Sequence, residues 1–273
     1  MTYDPGIYHN ISNEDYHASE GISSSHVKAW HKTTPLHAKC GKGGTIAQAT
    51  ADFGSAVHAL VLEPHLDAVL SYDGTRRGNA WKSAHEHARV TGKYLLPEAE
   101  CDRAYKCRDS LFDYPLIGDL LRHPNRICEA SMFAYDFDRD LTLKARPDLY
   151  IAEKSLMVDV KTAARANPKD FSDQFFSFGY DLQAAYYLKV AELVGVSCKH
   201  FAFAVVEKEA PHAANLFTLE PEVIERASEV VEQCLDEIKA DWGNPEPKTG
   251  WPPFTPISLP WWLKPENSKK GFS

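Results

Sequence analysis

Two aspartates and a lysine stand out in the stretch ARPDLYIAEKSLMVDVKTA, residues 145–163: Asp148, Asp159 and Lys161. The run is otherwise fit for a buried β-hairpin, yet aspartate is depleted in strands and seldom buried without a partner. Alternate side chains of a strand share a face. Ser155, Met157, Asp159 and Lys161 therefore fall on one face, and Leu156, Val158 and Val160 on the other. A turn at Glu153-Lys154 sets Ile151 opposite Leu156 and Asp148 opposite Asp159. Glu-Lys is not a favoured tight-turn pair, and a slipped register puts Asp148 on the diagonal instead. Opposed residues have Cβ atoms about 5 Å apart, where like charges repel. Two carboxylates held that close need a cation between them, or one takes up a proton. An oxygen-rich site with few protein ligands suits Mg2+, which keeps waters and accepts substrate phosphate oxygens. Lys161 on the same face could orient or deprotonate an attacking water, or neutralise charge building on a phosphate. The alternative is a salt-bridged surface hairpin, with Asp148 paired to Arg146 or Lys161.

The elements that must hold this hairpin follow from periodicity and punctuation. GISSSHVKAW offers a Ser N-cap for a helix ending near Thr34-Pro35. ADFGSAVHALVLEP carries Phe53, Val57, Leu60 and Val61 at helical spacing, with Pro64 as the stop. A basic turn, DGTRRGNAWK, leads into a helix that ends at Thr91-Gly92, and a longer helix is broken by Pro115. From Ile127 the period changes to two: ICEASMFAYDF, LTLKARPDLYI and LMVDVKTA are successive strands. A helix follows from about Tyr180 to Leu193, then the strand HFAFAVVEKE, a further strand at LFTLEP, and the amphipathic helix PEVIERASEVVEQCLDEIKADW. The expected fold is α/β, a mixed central β-sheet from about 127–162 and 199–219 flanked by helices. One domain spans 1–273, with a helical lead-in (1–126), a core (127–219) and a terminal helix with a Pro- and Trp-rich tail (220–273).

Composition bounds the rest. With 44% hydrophobic and 25% charged residues the 273-residue chain is ordinary for a globular protein. No apolar run approaches the roughly 20 residues of a membrane span, and the amino terminus lacks the order of a signal peptide. The expected location is the cytoplasm, with no membrane partner. The six cysteines form no CxxC pair, which argues against a zinc ribbon or an iron–sulfur cluster. The net charge of −8 is wrong for a simple DNA coater but compatible with an enzyme that grips DNA in a local groove. Arg76 and Arg77 in the Gly-rich turn, with Lys82 beyond, suit phosphate contacts, and Trp81 could stack on an unpaired base; a solvated loop fits the composition equally. GKGGT at 41–45 is not a phosphate loop, so no ATP use is implied. Trp251, Trp261 and Trp262 make the tail too apolar to stay solvated, so it should pack on the domain or on a neighbouring subunit; Lys269 and Lys270 read as a frayed end.

RPD followed by VDVKT resembles the PD-(D/E)XK nuclease motif. GSAVHAL puts His58 on an upstream helix, similar to the G-x-x-x-H of the RecB-like branch, and QAAYY gives its Q-x-x-x-Y, Gln183 and Tyr187. With ISSSHVKAWHKTTPLHA, FGSAVHALVLEP and RRGNAWKSAHEHARVTGK, most of residues 7–207 resembles the exonuclease domain of RecE-type (exonuclease VIII-like) phage recombination nucleases. The four clustered cysteines usual in CRISPR-associated relatives of this branch are absent.

That resemblance implies Asp148 and Asp159 as metal ligands, with the Val160 carbonyl and His58 completing the set, and Lys161 activating water. Gln183 and Tyr187 would position the hairpin or the DNA backbone, and Glu129, at the start of the first β-run, would be a further acid. It implies one or two Mg2+ ions, replaceable by Mn2+. The implied activity is ATP-independent 5′→3′ degradation of linear double-stranded DNA, leaving 3′ overhangs for a RecT-like single-strand annealing protein. A ring-shaped homo-oligomer, trimer or tetramer, is implied as well. A structure- or sequence-specific endonuclease and a non-catalytic DNA-binding module remain as competing readings; the retained repelling carboxylates argue against the latter.

Overall fold

The computed structural model describes residues 1–40, 48–244, 254–260 and 264. Along the chain run β1 (Gly6–Tyr8), α1 (Asn13–Ala18), α2 (Ser24–Lys32), α3 (Pro35–Lys39), α4 (Gln48–Leu62), β2 (Val69–Tyr72), α5 (Gly78–Val90), β3 (Tyr94–Pro97), α6 (Glu98–Asp113) and α7 (Pro115–Leu121). Then follow β4 (Ile127–Cys128), β5 (Ser131–Asp136), β6 (Leu141–Ala145), β7 (Leu149–Ile151), β8 (Leu156–Ala163), α8 (Pro168–Phe178), α9 (Tyr180–Leu193), β9 (His200–Glu207), β10 (Ala214–Thr218) and α10 (Pro221–Asp241). The fold is α/β, as expected. The GKGGT segment, Trp251, Trp261, Trp262, Lys269 and Lys270 lie outside the described residues.

Punctuation residues act where the sequence puts them. Ser23 precedes α2, and its amide donates to His26 Nδ1 at 3.0 Å. Pro115 separates α6 from α7, because its ring cannot continue the first helix but suits the opening turn of the second. The Asn167 side chain accepts the Asp170 amide at 3.0 Å to start α8. That helix was not expected: FSDQFFSF is phenylalanine-rich like a strand, but Phe171 and Phe175 lie one helical turn apart and are both buried.

The central sheet has five strands in the order β10-β9-β8-β7-β4. It is mixed, since β8 and β9 run parallel while the other pairs are antiparallel. One face carries Met157, Phe203 and Val205 against α9 and α10, and the other carries Val158, Val160 and Val206 against α4 and α6. The two faces of β8 are those set by simple alternation.

Two expectations need correction. The sheet is not one run from 127 to 162: β5 and β6 leave it to form a second, antiparallel sheet with β1, in the order β1-β5-β6. The chain crosses between sheets at Glu129, whose φ is 51°, and again through Arg146–Asp148. The Glu129 amide donates to the Asp148 carbonyl at 3.1 Å, which joins the two crossings. Nor is the lead-in wholly helical, since it supplies β1 and a parallel β2–β3 pair. These strands are only three or four residues long, too short to show alternation.

Candidate active site

The hairpin has the expected register: Ile151 pairs with Leu156, Tyr150 with Met157 and Leu149 with Val158. Its turn is a short 3-10 helix, Ala152–Lys154, closed by Ser155 at φ 48°. One step past the ladder, Asp148 replaces a strand bond with its side chain, and the Val160 amide donates to its Oδ2 at 2.7 Å. Both acids are buried, Asp148 at 9% and Asp159 at 1% relative exposure. A surface hairpin is therefore excluded, and Arg146 is not the partner of Asp148: it donates to Ser131 Oγ and the Ile11 carbonyl and lies over the Tyr16 ring.

Asp159 is clasped on its own face. Lys161 ion-pairs with its Oδ1, and the Gln183 amide reaches Oδ1 and Oδ2 at 3.2 and 3.4 Å. Gln183 Oε1 in turn faces Lys28 Nζ of α2 at 3.4 Å. Tyr187, one turn further along α9, hydrogen-bonds Ser24, and burial raises its hydroxyl well above the ordinary tyrosine range. Gln183 thus touches Asp159 directly, whereas Tyr187 ties α9 to α2 behind it.

His58 of α4 comes from the opposite side. Its Nδ1 lies 3.4 Å from Asp148 Oδ2, and the Val160 carbonyl hydrogen-bonds its ring. One ligand atom each from His58, Glu129 and Asp148 lies within 4.8 Å of the others. Glu129 is therefore a full member of the cluster, brought in by the turn that carries the chain between sheets.

Electrostatics test whether this set suits a cation. Burial, then the neighbouring Asp159 and Glu129, holds the Asp148 carboxyl well above the usual carboxylate range. Burial and the repulsion of Glu63 push Glu129 up to about 7. Burial and the Lys161 charge push His58 down to about 4, so its contact with Asp148 is that of a neutral imidazole, which is the ligating form. Crowded carboxylates that resist ionisation beside a neutral imidazole are a donor set completed by a divalent cation. The residues fit such an ion.

Lys161 behaves otherwise. Burial alone would lower it, but Asp159 and Asp148 override that and raise it, so it stays charged. Its ammonium stands over the Tyr180 ring, 4.9 Å from the ring centroid. Lys28, which the sequence reading passed over, is pushed down to about 8 by burial and the Lys161 charge. Its signal was its place in SSHVKAW, the helix that caps the site.

The expected DNA contacts fare unevenly. Arg76 is engaged by Glu100 at 2.7 and 3.2 Å and by Asp52 at 3.0 Å, and it lies 5.1 Å from the Trp81 ring centroid. Trp81 is 7% exposed. Arg76 ties the turn before α5 to α4 and α6, and Trp81 packs between α5 and the β2–β3 pair, against Tyr72 and Leu95, so both are engaged within the fold rather than free for the expected phosphate and base contacts. Arg77 and Lys82 are exposed.

A family model described as a PDDEXK-like domain of unknown function (DUF3799) matches residues 23–249. Among solved structures, a candidate exonuclease from Eubacterium rectale is 18% identical with a TM-score of 0.62, covering 91% of this chain and 96% of its own. A phage-related exonuclease from Haemophilus somnus 129PT is 11% identical with a TM-score of 0.34, over 82% of this chain and 98% of that one. No curated protein matches. Among the described residues no helix is long and apolar enough to cross a membrane.

Proposed function

This chain belongs to the PDDEXK-like domain family, and on that premise we propose that it is a divalent-metal-dependent, ATP-independent exonuclease on linear double-stranded DNA. It degrades the 5′-ended strand and leaves a 3′ overhang for a RecT-like annealing protein, with Mg2+ as the physiological ion and Mn2+ as a substitute. The protein works as a closed ring of three or four copies in the cytoplasm. The observation that carries the nuclease reading is the cluster of half-buried His58 and Glu129 with buried Asp148, against the Asp159–Lys161–Gln183 clasp. Polarity, overhang and ring rest on the resemblance to RecE-type enzymes.

His58, Glu129 and Asp148 would hold the ion, with Asp159 and the Val160 carbonyl beside them as further ligands. When bound, it neutralises the carboxylates, polarises the phosphodiester and lowers the pKa of a coordinated water. Gln183 fixes both oxygens of Asp159, so the carboxylate enters the reaction already oriented. Lys161, charged and held by Asp159, faces the negative charge that grows on the phosphate oxygens. Tyr187 and Lys28 brace the Gln183 helix against α2.

The exonuclease reading is tested by comparing linear duplex with covalently closed circular DNA. Loss of the linear form with the circle intact supports end-dependent action. Cutting of the circle moves the assignment to an endonuclease.

A further inference from the structure

We propose that the cavity where α2, the α8–α9 corner and α10 meet binds a nucleoside monophosphate unit, as one unpaired nucleotide of the DNA strand beside the cleavage centre. This rests on the nuclease reading and adds a strand path to it.

The cavity has a volume of about 770 Å3, within the range of small-ligand sites. Its walls include His31 and Lys32 of α2, Phe176 of α8, Asp181 and Leu182 of α9, and Arg226 of α10. It connects to the chemistry through one turn of α2. Lys28 of α2 faces Gln183, and Lys32, four residues on, donates to the Ser177 carbonyl at the cavity wall. The corner is built to hold both lysines: Gly179 has φ +65°, and a Cβ there would lie 3.2 Å from Lys32 Cε and 3.3 Å from Lys28 Cδ.

Three features of the walls match three parts of a nucleotide. Lys32 and Arg226 supply positive charge for a phosphate, in a chain whose net charge is −8. Phe176 is 52% exposed, a flat apolar surface on which a base can stack. Asp181 is only 5% exposed, and its Oδ1 has no hydrogen-bond partner among the described residues. Arg226 Nη1 stands 3.8 Å from the other oxygen, beyond hydrogen-bond range. A place in the first turn of α9 accounts for a negative charge there, but not for a buried oxygen left without a donor. Rotation of the carboxylate about its Cβ–Cγ bond would bring that oxygen to the cavity, where the amino group of a base edge supplies such a donor.

The test reads binding in EDTA, where no cleavage runs, by anisotropy of short labelled single strands of deoxycytidine or thymidine, with free dCMP as competitor. The wild type is expected to bind the cytosine strand more tightly, because only cytosine offers an amino group to Asp181. Phe176→Ala should weaken both strands about tenfold, a typical loss for one stacked base. Lys32→Ala with Arg226→Ala should weaken both and flatten the salt dependence. Asp181→Asn should abolish the preference for cytosine; if that buried change unfolds the protein, the exposed Phe176→Ala and Arg226→Ala carry the test. Competition by dCMP that is lost in Phe176→Ala assigns the site to released product as well, and no competition assigns it to the intact strand. Wild-type affinity in every variant overturns the proposal. Cleavage of linear duplex with Mn2+ is measured on the same preparations. Unaltered binding with intact cleavage sinks the cavity alone, and altered binding without wild-type cleavage sinks the nuclease reading alone.

Discussion

Asp148 accepts the Val160 amide at 2.7 Å, so the first acid of the pair is tied to the backbone of the strand that carries the second. This bond ends the β7–β8 ladder with a side chain and holds the carboxylate where Asp159 and Glu129 repel it. Asp148→Asn keeps an acceptor for Val160 and removes the repelled charge. Its metal-free form should melt at a higher temperature than the wild type at pH 8, while DNA cleavage falls at least about a hundredfold. Calorimetry and a cleavage assay on one preparation check both halves.

Much of that arrangement is legible in the sequence, because the side-chain period of a strand is two and one register fixes every position. Ile151 opposite Leu156 brings Asp148 up to Asp159 without further information. Glu129 is legible as an acid at the start of the first β-run, where the resemblance implies one. Its place beside His58 depends on a residue at φ 51° and on strands that change sheets, and neither leaves a mark in the hydrophobic pattern. Arg76 misled for a related reason: a basic Gly-rich turn looks the same whether its arginine faces solvent or two carboxylates from α4 and α6.

The raised Glu129 sets a pH dependence. Its carboxyl titrates at about 7 in the fold against an ordinary 4.5, so the folded state holds a proton that the unfolded chain releases. The associated stability is full below 4.5 and is lost as pH rises through about 7. Between pH 7.5 and 6.5 the melting temperature of the metal-free protein should therefore rise as pH falls. Glu129→Gln should flatten that slope, as should saturating Mn2+. A wild-type slope unchanged in Glu129→Gln would count against the acid cluster.

Gln183 orients Asp159 while facing Lys28. Gln183→Leu should lower cleavage about 10- to 100-fold, the usual cost of losing a partner behind a metal ligand. Its melting temperature should fall as well, since the buried Asp159 loses a hydrogen-bond donor. The readout that separates this from simple disruption is the metal titration, in which the half-saturating Mn2+ concentration should rise with the loss of rate.

Arg76 bridges Asp52 and Glu100. Arg76→Ala should cost about 2 kcal/mol of stability through the lost charge-assisted hydrogen bonds. DNA affinity, measured well below the melting transition, should change little. A tenfold loss of affinity with no change in melting would return Arg76 to the DNA interface.

The measurement closest to the central claim is nucleotide release from linear duplex DNA by the wild type and by Asp159→Ala, with Mg2+, with Mn2+ and in EDTA, all without ATP. Release by the wild type with either ion, none in EDTA and none from Asp159→Ala is the predicted result. Equal release by Asp159→Ala, or none from folded wild type with either ion, would contradict a metal-dependent nuclease centred on this hairpin.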